Sequence, residues 1–425
     1  MKLIQDFAKK NGIFYGWFVL AGVMMVLIVV GGSLVNAFGV FLPVICNHFG
    51  WGRAVVAAAL SLAVLSFGLP SPLFGILVSR LGPRFTFILG NCLAALGLAM
   101  MSLVQEVWHV YLLYVLIGFS AGLGGYISSA TTINNWFIRK RSLAMAMFVA
   151  STGLAGFVFP PFVTLLIDAL GWRSTWLVLA GSTIVISVLL ASVVLIRNRP
   201  EDMGLLPDGQ TGETIRELQR RSGQSQTQEA QVPSKTRHTL GMLTTWLIGI
   251  FVAANAYVTG TLSAHQIAYL QDLGFAAITA ATTISVMAAA NTCGCLTFGT
   301  LALRFHVRRL TIGAFIVQLM GLLILLSTKE LSFVYLYVAL IGLSSGSLMT
   351  ALPIFVGVYY EREKYSQVLG VVFPFQPIAM AVAATAAGAI YDATASYTMA
   401  FYLAITMSLI GLVGAFLVRP PLQRS

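Results

Sequence analysis

The sequence predicts an all-α membrane protein of about twelve transmembrane helices, arranged as two six-helix pseudo-repeats. Three observations carry this expectation: a composition that only lipid can solvate, apolar runs of about 20 residues recurring along the chain, and an internal repeat at one fixed offset.

Of 425 residues, 58% are hydrophobic and 9% charged, where a soluble domain carries roughly a quarter charged residues. A soluble core cannot use that much apolar surface; a bilayer can. The net charge of +11 raises nucleic acid as a partner, and its placement in short loops between apolar runs excludes it. Cys46, Cys92, Cys293 and Cys295 lie in or beside apolar segments and form no C-x-x-C pair. Neither a disulfide framework nor a metal site is indicated, and no cofactor is expected. The first apolar run, from Trp17 to about Val44, follows Lys9 and Lys10 and is too long for a signal-peptide core.

Apolar runs fall near 17–44, 54–78, 85–104, 110–135, 143–167 and 174–196, then near 242–270, 276–302, 309–328, 333–358, 366–391 and 398–418. In lipid each must satisfy its own backbone, so each is read as a helix. Many are rich in Gly and Ala, as helices packed closely in a membrane are. Between the sixth and seventh runs lies the one long polar stretch, from about Arg197 to Thr239, which reads as a linker. The expected division is a first half over 1–196, a linker over 197–240 and a second half over 241–425.

With the N-terminus in the cytoplasm, 22 of the 25 Lys and Arg fall on the cytoplasmic side, leaving Arg53, Arg173 and Lys329 outside. This is the positive-inside pattern. It predicts both termini in the cytoplasm, and the short loops point to a prokaryotic inner membrane.

The repeat has an offset of 224 residues. It pairs Gly50 with Gly274, Gly75 with Gly299, Arg80 with Arg304, Arg84 with Arg308, Gly97 with Gly321 and Tyr111 with Tyr335. It also pairs Gly118 with Gly342, Gly122 with Gly346 and Asp168 with Asp392. Composition alone matches glycines occasionally, but not the Arg and Asp pairs as well. Two parallel repeats place a solute site between them near the midplane.

Between the second and third spans stands Gly75-Ile-Leu-Val-Ser-Arg80-Leu-Gly82-Pro-Arg84, with a degenerate copy over Gly299 to Arg308. It resembles the major facilitator loop G-x-x-x-D-R-x-G-R, with Ser79 in place of the acidic residue. Further pieces are Phe14-Tyr-Gly16-Trp17, Trp136-Phe137-Ile-Arg139-Lys140-Arg141, Gly171-Trp172-Arg173, Arg199-Pro200-Glu201-Asp-Met-Gly204 and Tyr391-Asp392. Together they resemble the monocarboxylate porter and oxalate/formate exchanger group, especially its bacterial members. The resemblance implies the major facilitator fold, alternating access and carboxylate transport. It also implies gating roles for Gly75, Arg80, Gly82, Arg84, Arg139, Arg141, Gly299, Arg304 and Arg308. The group carries a carboxylate-binding arginine four residues before the second loop glycine, and this chain has Cys295 there. Where those porters carry a lysine late in the first helix, this chain reads Val35-Asn36.

No Asp, Glu, Lys or Arg lies deep within any span, although such residues are the usual marks of ion and proton pathways. The expected substrate contacts are therefore neutral: Asn36, Tyr126, Asn255, Tyr257, Asn291 and Gln376. An unpaired amide or hydroxyl in hydrocarbon is costly, so these groups face either a cavity or one another; interhelical bonding is the alternative use. His265 is the lone histidine within a span. Its unperturbed pKa near 6.5 suits a transported proton, while hydrogen bonding inside the bundle is the plainer role.

The expected function is secondary transport of a small organic anion, a monocarboxylate or dicarboxylate, by proton symport or anion exchange. An exporter or facilitator of a neutral or amphiphilic solute is the alternative. The expected partners are the solute, a co-transported proton and the lipid bilayer, with the chain acting as a monomer. No nucleophile–base pair, metal cluster or phosphate loop points to an enzyme.

Overall fold

The computed structural model describes residues 14–209, 243–327 and 330–418. Most of the expected linker lies outside these residues, as do Lys2, Lys9, Lys10, Arg216, Arg220, Arg221, Lys235, Arg237, Lys329, Arg419 and Arg424 of the charge pattern.

Eleven helices among the described residues are long and apolar enough to cross a membrane, and a bent pair makes the twelfth span. They are α1 Gly16–Phe49, the bent α2 (Arg53–Gly68 and Ser71–Leu81), α3 Pro83–Met101, α4 Val107–Trp136, α5 Arg141–Leu170 and α6 Trp172–Leu195. After the linker come α7 Leu243–Asp272, α8 Ala277–Leu301, α9 Val307–Ser327, α10 Leu331–Tyr359, α11 Tyr365–Thr394 and α12 Thr398–Leu417. No strand occurs among the described residues, as a lipid-solvated backbone requires. The bend of 47° in α2 sits at Pro70, whose ring and missing N–H interrupt the ladder.

The repeat seen in the sequence is also a repeat of contacts. A Cβ added at Gly97 would lie 2.7 Å from Ile117 Cγ1, and one at Gly321 would lie 2.7 Å from Ile341 Cγ1. Arg84 donates to the carbonyls of Ser192 (3.2 Å) and Val193 (3.0 Å) at the end of α6. Arg308 donates to the carbonyl of Phe416 near the end of α12. Residues 308 and 416 each stand 224 after 84 and 192, so both arginines cap the last helix of their half, where a cation meets free carbonyls and the negative end of the helix dipole.

The same offset exchanges the halves across their seam. Gly75 lies against the Ser366 backbone, and Gly299 against that of Ser142. With no hydrophobic drive between helices in lipid, such bare-backbone contacts let α2 meet α11 and α8 meet α5 closely. Pro374 has no N–H to give the Gly370 carbonyl. Ser71 Oγ of α2 donates to that carbonyl instead, at 2.9 Å.

Candidate functional site: a cavity between the halves

A cavity of about 380 Å³ lies on the seam, walled by α1, α2, α4, α5, α10 and α11. Leu27, Leu34, Phe67, Met349 and Phe373 are among its apolar wall. Its polar lining is Asn36, Tyr126, Thr152 and Gln376, and among the described residues no Asp, Glu, Lys, Arg or His lines it. Three of the seven substrate contacts expected from sequence thus come together here, from both halves.

Local backbone irregularity places them. α1 and α4 each contain one π-type stretch, Gly32–Asn36 and Gly122–Tyr126. A π-turn widens the helix and re-aims the side chains that follow. Asn36 Nδ2 donates to the Gly31 carbonyl at 3.3 Å. Tyr126 is 4% exposed, its ring 4.6 Å from that of Phe373 and 5.2 Å from that of Phe148. The Tyr126 hydroxyl is buried without a hydrogen-bond partner. Such an orphan costs about 1–3 kcal/mol and calls for an explanation in the protein's working cycle. Gln376 is half-buried and follows the proline break of α11.

The other four expected contacts are placed within the second half. Asn255 Oδ1 accepts from Gln318 Nε2 at 3.0 Å, and Ser408 Oγ donates to Gln318 Oε1 at 3.1 Å. This chain of side chains stitches α7, α9 and α12 together. Tyr257 is buried in α7. His265 Nε2 lies 2.9 Å from the Ala384 carbonyl of α11, with its ring 5.3 Å from that of Tyr397. Asn291 Oδ1 faces the Cys295 thiol at 3.8 Å, and that thiol also donates to the Gly346 carbonyl at 3.4 Å. None of the four is among the residues lining the cavity. Cys293 is exposed and Cys295 buried, on different faces of α8 as their spacing requires.

The seam is sealed at one end, the basic end, which carries the α2–α3, α4–α5 and α10–α11 turns. Arg362 Nε donates to Asn135 Oδ1 (3.1 Å), its Nη2 to the Asn135 carbonyl (2.5 Å) and its Nη1 to Glu201 Oε1 (2.7 Å). Arg141 bonds the Phe137 carbonyl in its own half and the Gly357 carbonyl in the other. Gln367 Nε2 donates to Ser79 Oγ at 3.2 Å, so Ser79, which stands where the family loop has an acid, still bridges the halves. Partial burial raises the Glu201 carboxyl's pKa, but the hydrogen bonds and charge of Arg362 outweigh it and hold the group below its ordinary value.

Of the remaining loop residues, Gly82 adopts a φ of +81° against Asn198, a backbone state only glycine takes without strain. Asn198 Oδ1 in turn accepts from the Arg84 N–H at 2.8 Å. Arg80, Arg139 and Arg304 are exposed. The Arg139 N–H donates to Asp208 Oδ2 at 2.6 Å; the N–H of Ile138 joins it at 2.9 Å. Sequence reasoning missed Arg362, Asn135 and Glu201 as sealing residues, and Asp208 as the acceptor that holds the α4–α5 turn. Arg362 counted there only toward the charge pattern, although Glu201 stood inside the quoted Arg199–Gly204 segment.

The sequence profile of the Major Facilitator Superfamily matches over residues 21–338 and 296–425. Among similar proteins, monocarboxylate transporter 12-B of Danio rerio is 24% identical over 93% of this chain and 86% of its own length. Monocarboxylate transporter 13 of Bos taurus is 27% identical over 93% and 88%. Monocarboxylate transporter 7 of Homo sapiens is 32% identical over 37% of this chain and 30% of its own. These relatives are vertebrate proteins and give the expected bacterial membership no support. A family profile that runs along nearly the whole chain, over twelve spans whose two halves enclose a cavity, makes this chain a member of the major facilitator superfamily, an integral membrane transporter and not an enzyme.

Proposed function

We propose that the chain is a secondary transporter of a small organic acid of the monocarboxylate class, working by alternating access. The observation that carries this is the cavity itself: it lies between the halves, takes lining from both, and is sealed at the basic end by Arg362, Arg141 and Gln367. The names of the relatives supply the solute class. The halves 1–196 and 241–425 rock about the cavity, joined by the segment over 197–240. We read the basic end and both termini as cytoplasmic from the charge pattern, so that the seal closes the cytoplasmic side. A prokaryotic inner membrane rests only on the short loops.

A second reading, transport of a neutral or amphiphilic solute, is favoured by one specific observation: the cavity lining holds no charge. Uptake of labelled lactate, oxalate and a neutral analogue into proteoliposomes, with and without a pH gradient, separates the two. Saturable acid uptake driven by the gradient supports the first reading. Saturable uptake of the neutral analogue alone supports the second.

A further inference from the structure

Resting on that reading, we infer that the acid occupies the cavity undissociated, with its carboxyl group held by the side-chain amide of Gln376. The proton then travels on the solute, and no titrating group of the protein is needed to carry it.

The argument begins with what the cavity lacks. An ionised carboxylate in an apolar pocket demands a cation or several donors. The lining offers no Lys, Arg or His, Asn36 and Thr152 donate to the carbonyls of Gly31 and Val149, and the Tyr126 hydroxyl is buried. The thiol of Cys295 is committed to the Gly346 carbonyl. His265 is engaged with Ala384 and lies on α7, which is not among the helices walling the cavity. Leaving the charge behind costs about tenfold in occupancy per pH unit above the acid's own pKa, which concentration or a proton gradient can offset.

What the cavity does offer suits the neutral acid. A primary amide carries an acceptor oxygen and donor N–H groups side by side. An undissociated carboxyl carries the complement, an O–H donor beside a carbonyl acceptor. The two close a ring of two hydrogen bonds in which no polar atom is left over. Gln376 stands at the cavity wall, just after the break of α11 at Pro374. Across the seam the Tyr126 side chain completes the wall, while its hydroxyl is buried away from the open space. The apolar wall from α1 and α2 takes the hydrocarbon part. A carboxamide of the same shape satisfies the same contacts and has no proton that ionises in this pH range.

The test is equilibrium binding to the purified protein in lipid nanodiscs, which avoids the leak of neutral acids through bilayers. Lactate and butyrate, whose own pKa values differ by about one unit, are compared with butyramide. The association constant for each acid should fall tenfold per pH unit above that acid's own pKa and level off below it, so that the break moves with the acid. Butyramide should compete equally well at every pH. Gln376→Ala should weaken butyrate and butyramide alike by about tenfold, the worth of one to two net hydrogen bonds. A break at one common pH for both acids would mean that a protein group titrates, and would overturn the inference while leaving the transport function standing. Butyrate binding with no competition from butyramide would do the same. Absence of binding by every compound at every pH removes the proposed function and this inference with it.

Discussion

Gly68 of α2 and Pro377 of α11 lie against each other beside the cavity, with no room between them for a single added carbon. The contact has a twin. Gly153 of α5 meets Thr292 of α8, where an added Cβ would fall 2.5 Å from the Thr292 hydroxyl. Residues 292 and 377 stand 224 after 68 and 153, so the two contacts exchange under the repeat. Each half thus presses one bare helix surface against the other at the level where the solute sits.

Gly68→Val is therefore expected to force these helices apart. Overpacking a tight contact costs about 1–3 kcal/mol, and the rigid proline ring cannot step aside. A lowered melting temperature of the purified protein, with transport reduced, checks this. A variant as stable and active as the parent would show that the contact is not close in the working protein.

Tyr126→Phe removes a hydroxyl that has no partner in the state described. Deleting an unsatisfied buried group is neutral or stabilising by about 1–3 kcal/mol. The expected outcome is a melting temperature equal to or above that of the parent. A clear loss of stability would mean the hydroxyl has a structural partner.

Asn255→Ala should behave in the opposite way. It leaves Gln318 without its acceptor, and a stranded buried amide costs about 1–3 kcal/mol. The variant should melt earlier, while its affinity for solute, measured on folded protein, stays near that of the parent. Lost affinity at unchanged stability would put Asn255 in the solute site.

The Arg362–Glu201 bond gives the basic end a dependence on pH. The Glu201 carboxyl titrates below its ordinary value when bonded. Its contribution is therefore fully present above the ordinary glutamate pKa of about 4.3 and is lost as pH falls through the lowered value. Both side chains are partly exposed, at 26% and 44%, so the bond is worth up to about 1 kcal/mol, roughly a fivefold bias. Glu201→Gln should speed thiol labelling of a cysteine placed at Thr131, which lines the crevice beside Arg362. Referred to a free thiol labelled at the same pH, acidification should raise the relative rate in the parent and not in the variant. Equal acid sensitivity in both would assign the effect to another group.

The bundle was legible in the sequence because lipid imposes long apolar runs and because one offset preserved Arg84 and Arg308 along with the glycines. Tyr126, Asn36 and Gln376 could be named for their cost in hydrocarbon, and they do meet at the cavity. The same rule could not separate them from Asn255, whose partner Gln318 stands 63 residues away on another helix. Helix faces were unreadable for a physical reason. Surfaces packed against protein and surfaces packed against lipid are equally apolar, so no hydrophobic stripe marks the inside. The π-type stretches ending at Asn36 and Tyr126 shift the faces again, and no local signal announced them. The seal at Arg362 depends on residues from α4, the start of the linker and the α10–α11 turn, which only the folded chain brings together.

The most direct test of alternating access about this cavity is a cross-link between residues 79 and 367. Ser79→Cys and Gln367→Cys, with Cys46, Cys92, Cys293 and Cys295 replaced, place two thiols where the side chains now bond across the seam. A cleavable bifunctional thiol reagent should abolish uptake into proteoliposomes, and cleaving it should restore uptake. Undiminished transport by the fully cross-linked protein would contradict the account, because the basic end would then never need to open.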